Sequence, residues 1–467
     1  MGQIGKVPEM LGGYSFIENA EFTALTTKDN FDGGGQECNG HRQKRDIPSL
    51  DHIALAMSSH TSYLQVFLRM HNHVLKGDGP LSYEIRHFVA MMLSNSAVVT
   101  SINKAYLALL IDLSPPVSST DLKFLRGLFD VLERFLNKIM AHQPWLITKQ
   151  MIRDLVVSKS WCLNELVHAI VILSHFHSLS SFIYGTGIEE MECVGGKPSS
   201  AGCLIHEHER EPSLENEGKV PEQIRYLMDQ MKSLSESECE WEDDPEERNK
   251  RFASVIESEE TNPSGPPTPA PQQQANNKKP PLPIAARQVV KKGSDALALF
   301  TVDRDFVYQD FVGRNQPAVC PTLRIQDCSW EDQGFSLLSR LYSDVSSVYL
   351  DDKHRTAYNL TYNTLSTIRN VDTSKFRRAV WNYILCLYGI RHDDYNYQEV
   401  NQLLSRELKT FIKRACCCPE RLSGDDLRYA MAELQYSEKV HVLLMVMEAR
   451  MEAELLYALR AVMQHLT

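Results

Sequence analysis

Apolar residues recur at helical spacing through most of the first 190 residues, and this pattern constrains the fold more than any other feature. The clearest stripes are Val66, Phe67, Met70 and Val74, and then Phe124, Leu128, Val131, Leu132 and Phe135. Residues three and four apart lie on one face of a helix, whereas a half-buried strand alternates at every second residue. That alternation is scarce throughout the chain. We therefore expect an all-α fold.

A change of composition divides the chain into two predicted helical domains. From about Glu189, acidic blocks and a tract rich in Pro, Gln and Asn replace the apolar stripes. Such segments bury too little apolar surface to offset the entropy lost on ordering. The predicted units are a disordered leader at 1–47, an N-terminal helical domain at 48–190, a linker at 191–294 and a C-terminal helical domain at 295–467.

Two helices outside the N-terminal domain are predicted individually. Within the linker, the apolar residues between Pro221 and Leu234 form one stripe. This favours a helix docked on a domain over a free helix that binds a partner. Near the C-terminus, residues 440–463 are predicted to form one long helix, with Ser437 as its N-cap.

Charge and cysteine content exclude several classes of function. The formal net charge of -11 disfavours a protein that binds nucleic acids or anionic membranes in general. The eleven cysteines are scattered and odd in number, which indicates reduced thiols rather than a disulfide framework. The triplet at 416–418 has no second Cys or His pair at zinc-finger spacing. We expect no metal site, no cofactor and no segment that inserts into a membrane.

Several short motifs, taken in order, resemble one protein family. They lie at residues 86–92 (Arg-His-Phe-Val-Ala-Met-Met), 141–148 (Ala-His-Gln-Pro-Trp-Leu-Ile-Thr), 177–182, 359–364 (Asn-Leu-Thr-Tyr-Asn-Thr), 371–374 and 437–441. Together they resemble the sestrins, stress-induced proteins that restrain TOR kinase signalling in response to amino acids. The resemblance implies two alkylhydroperoxidase-like helical domains in a pseudo-twofold arrangement. It also implies a cytoplasmic protein, with the lysosome surface and the nucleus left open as further locations.

The N-terminal half of sestrins resembles thiol peroxidases in which a Cys, a Tyr and a His cooperate. Counted without gaps from Arg86, the three positions correspond to Val99, Ser101 and Tyr106. No cysteine occurs between Cys38 and Cys162, so a shifted alignment cannot restore the nucleophile. We expect no peroxidase activity. The histidines on apolar helices of this half are expected to be core residues: His87, His142, His168, His175 and His177.

The C-terminal half contains the groups that a free amino acid requires. An ammonium needs an anion, a carboxylate needs a cation, and the side chain needs apolar walls. The resemblance implies that Glu438 holds the ammonium and that Arg377 grips the carboxylate with its guanidinium. Further residues of the implied pocket are Thr361, Tyr362 and Thr364, which would add hydrogen bonds, and Thr373, which would contribute to a lid.

Two positions of this implied pocket depart from the family pattern. Phe376 stands where the family usually has leucine, and its ring would still line an apolar pocket. Met431 stands where leucine-responsive members have a tryptophan, so the pocket loses a broad rigid face. Leucine is therefore one candidate among the apolar amino acids. In the alternative interpretation, Arg377 and Glu438 form ordinary ion pairs worth roughly 0–1 kcal/mol each.

The segment 389–397 has the composition of an exposed contact with a basic partner. By resemblance, Asp393 and Asp394 engage the GATOR complex that activates TOR signalling, and we group the adjacent Tyr395 with them. Next along the chain, a predicted helix carries a basic face formed by Arg406, Lys409 and Lys413. In the alternative interpretation, the acidic loop folds over that basic helix and forms internal salt bridges.

The function expected from these residues is inhibitory binding without catalysis. The protein would hold the second GATOR subcomplex and thereby damp TOR signalling, and a bound apolar amino acid would weaken that grip. Two alternatives come from other classes. One is an antioxidant thiol peroxidase, which Val99 argues against. The other is an adaptor that inhibits without a ligand because Met431 has removed sensing.

Overall fold

The structure, a computed structural model, is built almost entirely of helices, so the predicted all-α fold class is confirmed. It describes residues 50–92, 136–158, 161–188, 221–236, 245–257, 308–313, 320–360 and 363–467. The predicted leader at 1–47 and most of the predicted linker at 191–294 lie outside these ranges. The domain boundaries and the likeness to alkylhydroperoxidase domains stay predictions.

The described helices of the N-terminal half follow the apolar stripes of the sequence. In chain order they are α1 (Leu50–Ala56), α2 (Thr61–Lys76), α3 (Tyr83–Met92), α4 (Lys138–His142), α5 (Lys149–Arg153) and α6 (Leu163–Thr186). In α2, Phe67, Met70 and Val74 are fully buried, as their spacing predicts. Helix α6 is buried on nearly every face. Gly187 ends it in the left-handed conformation (φ 67°) that glycine adopts without steric cost.

Two helices of the predicted linker pack on the folded part of the chain. Helix α7 (Glu222–Glu236) buries Ile224 and Met231, so this amphipathic helix is docked, as the sequence favours. The second helix, α8 (Pro245–Glu257), is absent from the prediction, which places only one helix in the linker. Its buried residues Phe252 and Val255 are three apart and therefore share one face. This short stripe anchors an otherwise charged helix.

The C-terminal half combines helices with two minimal pairs of strands. Its elements are β1 (Leu323–Arg324), α9 (Phe335–Leu341), α10 (Asp344–Asn359), β2 (Thr364–Leu365), β3 (Ile368–Arg369), α11 (Ser374–Leu387), β4 (Ile390–Arg391), α12 (Gln398–Leu403), α13 (Arg406–Cys417), α14 (Gly424–Ala430) and α15 (Tyr436–Leu466). Strand β1 pairs with β4 in parallel, and β2 pairs with β3 antiparallel. The strand pairs fix loops rather than forming a sheet layer.

Helix α15 corrects the predicted start of the last helix. It begins at Tyr436, and its N-cap is Gln435 rather than Ser437. The Glu438 side chain accepts a hydrogen bond from the backbone N–H of Gln435 at 2.9 Å, which forms half of a capping box. This reciprocal bonding with a residue three positions on outweighs the intrinsic preference for serine at an N-cap.

The centre of the protein is the contact between α6 and α15, each of which is buried along most of its length. By length and composition α6 could cross a membrane, but 94% of its apolar window is buried inside the protein, as in a core helix. The two helices approach closely at Gly185, where an added Cβ would lie 2.3 Å from Cδ2 of Leu443. The described parts of both predicted domains therefore share one core.

Buried charges also join the two halves. The carboxylate of Glu448 (α15) accepts a hydrogen bond from the Tyr63 hydroxyl (α2) and lies 3.1 Å from Nζ of Lys353 and 2.8 Å from Nδ1 of His354 (α10). Burial opposes ionisation of Glu448, but Lys353 and the bonds from His354 and Tyr63 outweigh it and lower its pKa to about 2. This cluster therefore ties together α2, α10 and α15.

A second buried cluster lies further along α15. Glu454 lies 2.6 Å from Nδ1 of His177 (α6) and 3.0 Å from Nε of Arg450. The guanidinium of Arg450 also donates to the Ser181 hydroxyl at 2.8 Å. Because buried charges are costly unless they are paired, this second cluster favours one relative position of α6 and α15.

The first prediction concerns Gly389, the residue before β4. Its φ of 73° lies in the left-handed region, and an added Cβ would lie 2.4 Å from the ring of Phe311. We expect Gly389→Ala to lower the free energy of unfolding by about 1–3 kcal/mol, because backbone strain and the clash add. Denaturant unfolding measures it. The matched control is Gly313→Ala, whose Cβ would meet only an ordinary contact at 3.5 Å; equal losses would contradict the prediction.

The second prediction concerns acid stability. Because the folded-state pKa of Glu448 is lowered to about 2, its stabilising effect is complete above the unfolded-state value and is lost as pH falls below it. We expect Glu448→Gln to cost about 3–5 kcal/mol at pH 7 and less at pH 3. Denaturant unfolding at both values measures this. The exposed Glu407→Gln is the control, and a loss that is independent of pH would contradict the assignment.

Candidate functional site

A compact loop formed by residues 363–371 lies beside the start of α15. It contains the hairpin of β2 and β3, and the backbone N–H of Val371 closes it by donating to the carbonyl of Asn363 at 3.0 Å. Three of its non-glycine residues have positive φ: Asn363 (52°), Ser366 (57°) and Asn370 (61°). Such backbone angles persist only where the surroundings enforce them, and they are often found at binding sites.

The carboxylate of Glu438 holds this loop against α15. It accepts the backbone N–H of Ser366 at 2.9 and 3.0 Å, one distance to each oxygen, and also the Thr364 hydroxyl. Burial raises the pKa of Glu438, and the bonds from Gln435, Ser366 and Thr364 oppose that rise. The position in the first turn of α15 favours a negative charge, because the N-terminal end of a helix is electropositive. Two of the implied pocket residues, Thr364 and Glu438, are therefore in direct contact.

Arg377 lies in the first turn of α11. Its Nη1 donates to the carbonyl of Tyr358 at 2.5 Å, and its buried Nε has no hydrogen-bond partner among the described residues. Burial lowers the pKa of this guanidinium. Its charge also contributes to the lowered pKa of His441, which lies one turn after Glu438 on α15. Arg377 therefore lies near the start of α15 with one buried donor that has no partner in the described part of the chain.

The other implied pocket residues fall into two groups. Thr373, Phe376 and Met431 are all buried: Thr373 precedes α11, Phe376 lies in its first turn, and Met431 follows α14. Phe376 and Met431 belong to the apolar core, as residues that wall a pocket would. Thr361 and Tyr362 lie outside the described residues, as do Val99, Ser101 and Tyr106, the three positions that the resemblance aligns with peroxidase residues. Their roles stay predictions.

The acidic loop after β4 exposes one carboxylate rather than two. Asp394 is 71% exposed and lies 3.6 Å from the guanidinium of Arg378. Asp393 is only 15% exposed, because its carboxylate accepts Nε of Arg391 at 2.7 Å. Tyr395 is buried, with the Arg378 guanidinium 5.0 Å from its ring centre. The exposed charge of this loop is therefore that of Asp394.

The predicted basic face of residues 406–413 is corrected in part. Helix α13 exists, and Arg406 is exposed on it. Lys409, however, is buried and donates to the Asn401 side chain at 2.9 Å, while Lys413 donates to Asp310 at 3.0 Å. Three cations outside α13 pair with the acidic loop: Arg324, Arg378 and Arg391.

Helix α8 packs beside the acidic loop. Asn249 accepts a hydrogen bond from Arg391, and the ring of Phe252 meets that of Tyr397 edge-on, with centroids 5.0 Å apart. These contacts join residues more than a hundred positions apart in sequence, so no local pattern could have revealed them. The functional residue that the sequence analysis missed is Arg378. Its position directly after Arg377 on α11 is the sequence signal that could have found it.

The histidines of the N-terminal half lie in or near the core. His168 Nε2 lies 3.1 Å from the carbonyl of Val74, and His175 Nε2 lies 3.0 Å from Nδ1 of His71. Burial lowers the pKa of His168 to about 3, so this imidazole is neutral at physiological pH. In the described part of the chain, no group of three or more His, Cys, Asp or Glu side chains could hold a metal ion.

Comparison with known proteins identifies the family. The family model described as PA26 p53-induced protein (sestrin) matches residues 18–466. A Sestrin homolog from Drosophila melanogaster is 37% identical, with 90% of this chain and 94% of the fly protein covered. Sestrin-1 from Xenopus laevis is 39% identical (90% and 86% covered), and Sestrin-2 from Homo sapiens is 37% identical (90% and 84% covered). The chain belongs to the sestrin family.

The third prediction concerns the contact of Glu438 with the loop at 363–371. We expect Glu438→Ala to speed hydrogen exchange of the Ser366 amide by about 10–100-fold, because a hydrogen bond to a charged group contributes about 1.5–3 kcal/mol. Hydrogen exchange followed by mass spectrometry measures it. The control is Glu433→Ala, a half-buried glutamate nearby. Unchanged exchange at Ser366 would mean that other contacts hold the loop.

Proposed function

We propose that this protein restrains TOR kinase signalling by binding the second GATOR subcomplex, and that a free apolar amino acid weakens this binding. Membership of the sestrin family supports the pathway. The observation that carries the mechanism is the adjacency of Arg377 and Arg378 in the first turn of α11. Arg377 has a buried Nε without a partner beside the start of α15, and Arg378 pairs with Asp394.

The chemistry around Arg377 suits the carboxylate of an amino acid. A guanidinium can donate two parallel hydrogen bonds to a carboxylate, and burial strengthens them because water is excluded. The free Nε is one of the donors that such a grip uses. An unpartnered buried donor costs about 1–3 kcal/mol, and a bound carboxylate would recover this energy.

The chemistry around Glu438 suits the ammonium group. Its carboxylate accepts hydrogen bonds from the backbone N–H groups of Ser366 and Gln435 and from the Thr364 hydroxyl, and an ammonium would share these oxygens or replace one of the donors. Burial raises its pKa, so an ammonium nearby would favour the ionised form and gain a strong partner. The buried side chains of Phe376 and Met431 supply apolar walls near these two groups in sequence. An amino acid with an apolar side chain is therefore the preferred class of ligand.

Coupling between ligand and partner would run through α11. An amino acid held by Arg377 would change the position of the first turn, and Arg378 in the same turn contacts both Asp394 and the ring of Tyr395. A ligand shifts the partner equilibrium only if its affinity differs between the bound and free states of the protein. Arg377 and Arg378 are consecutive residues, so a movement of one also displaces the other. This connection supplies a physical route for the difference in ligand affinity.

The proposed activity is binding without catalysis. None of the three relatives named above is named as an enzyme. The family resemblance aligns Val99 with the peroxidase nucleophile, and a valine offers neither a thiolate nor a proton. The adaptor that inhibits without a ligand remains the alternative, and the next measurement separates the two.

The fourth prediction tests the ligand. We expect one apolar amino acid, at millimolar concentration, to raise the thermal stability of the full chain, because a ligand at about 100 times its Kd adds about 2.7 kcal/mol. The increase should disappear in Arg377→Ala and in Glu438→Ala. The control is Arg421→Ala, an exposed arginine elsewhere. If the increase in thermal stability persists in both site variants, the amino acid binds at another site. If no amino acid raises the thermal stability, the protein is the ligand-independent adaptor.

The fifth prediction tests the partner surface. We expect Asp394→Asn to weaken capture of the purified second GATOR subcomplex by about tenfold or more, because loss of a charge that is desolvated in an interface costs about 2–5 kcal/mol. Quantitative pull-down or interferometry with the full chain measures this. Asp425→Asn, which removes another exposed aspartate, is the matched control. Equal capture by the two variants and the original chain would contradict a role for the acidic loop.

A further inference from the structure

A cavity of about 560 Å³ lies at the opposite end of α15 from Glu438. It is bounded by three parts of the chain: the segment 143–150, residues near 309 and 320, and the last turns of α15. None of its lining residues belongs to the implied amino-acid pocket or to the acidic loop. Its size falls within the range of about 300–1,000 Å³ that is usual for small-molecule sites.

The charges around this cavity have one sign. Its lining includes Arg460 and Lys149, and none of its lining residues is Asp or Glu. Arg460 is half-buried and forms no ion pair or side-chain hydrogen bond with the described residues. The pKa of Asp327 is lowered mainly by its hydrogen bond from Arg324, with a smaller contribution from the charge of Arg460. That carboxylate is already bonded to Arg324 at 2.7 and 2.9 Å. Arg460 is therefore a cation available to an anion in the cavity.

The side chain of Trp145 forms part of the cavity wall. Its indole ring is only 6% exposed, and its Nε1–H has no hydrogen-bond partner in the described part of the chain. A buried donor without a partner costs about 1–3 kcal/mol, so native structures rarely keep one without a reason. Trp145 belongs to the motif at 141–148 that contributes to the family resemblance, and the proposed function makes no use of it.

The rest of the lining is largely apolar or carries amides. Leu146, Ile147, Pro321 and Ala461 supply hydrocarbon surface, while Gln464 supplies an amide beside them. A cation and apolar surface in one cavity match a molecule with an anionic group on an organic body. A bare inorganic ion would leave the apolar surface unused.

We infer that this cavity binds a small organic anion, with its carboxylate, sulfonate or phosphate group on Arg460 and its body against the apolar wall beside Trp145. The site is independent of the proposed amino-acid site. It adds a second binding function at the other end of the same helix.

The experiment uses naphthalene-1-sulfonate as the probe and the full chain as the protein. Isothermal titration is compared for the original chain, Arg460→Gln and Gln464→Glu. Gln464→Glu changes one atom type at a half-buried position and places a negative charge in the lining. The matched control is Arg421→Gln, which removes an exposed arginine outside the cavity. Unfolding curves for every variant verify that it is folded.

We expect saturable binding to one site, about tenfold or more weaker in Arg460→Gln and in Gln464→Glu and unchanged in Arg421→Gln, because a charged hydrogen bond contributes about 1.5–3 kcal/mol. The neutral analogue 1-naphthylmethanol should bind at least tenfold more weakly than the sulfonate. Competition by inorganic phosphate at equal concentration would identify a plain anion site and overturn the organic class.

Two further outcomes would overturn the inference itself. One is the absence of saturable binding by the original chain, and the other is equal affinity in all four proteins. A second readout locates the probe. Cys320 lines the cavity and is not in a disulfide, so bound sulfonate should slow its alkylation, measured by mass spectrometry of its peptide. The exposed Cys162 serves as the internal control. Equal protection of both thiols would place the probe outside the cavity.

Discussion

The carboxylate of Glu448, buried between helices from both halves of the chain, is the interaction on which the rest of the structure depends. Its partners are contributed by α2 and α10, and it is itself part of α15. A buried charge that loses one partner costs several kcal/mol, whereas a fully paired one costs little. The three helices must therefore occupy their positions together. This shared requirement makes one core out of two stretches of sequence that a long linker separates.

Helix α15 contributes residues to the candidate amino-acid site, to both buried ionic clusters and to the cavity. Its first turn contributes Glu438 to the loop at 363–371, its middle turns carry Glu448 and Glu454, and its last turns line the cavity with Arg460. With 31 residues and a rise of about 1.5 Å per residue, the helix spans about 45 Å. The buried ion pairs in the middle of α15 fix the positions of both of its ends. Loops and neighbouring helices therefore pack against a rigid helix at each end.

Local pattern was sufficient where a helix buries a single stripe. The spacing of Phe67, Met70 and Val74 predicts α2, and the stripe after Pro221 predicts the docked helix α7. The same reasoning failed for Lys409, which shares the predicted basic face but is buried. Spacing states which residues share a face, but a neighbouring element decides whether that face meets water. Here the Asn401 side chain accepts a hydrogen bond from the Lys409 ammonium, and the hydroxyl of Tyr383 on α11 donates to the backbone carbonyl of Lys409 at 3.2 Å.

The sequence by itself determined the helical class, the family and the residue types of the candidate site, because periodicity and short motifs are local properties. Only the tertiary structure decided which charges are available. It neutralised Asp393 with Arg391, left Asp394 exposed, and brought Glu438 to Ser366. It also assembled the cavity around Arg460 from segments more than a hundred residues apart. Burial and pairing depend on contacts between distant segments, and a single sequence does not encode those contacts in any local pattern.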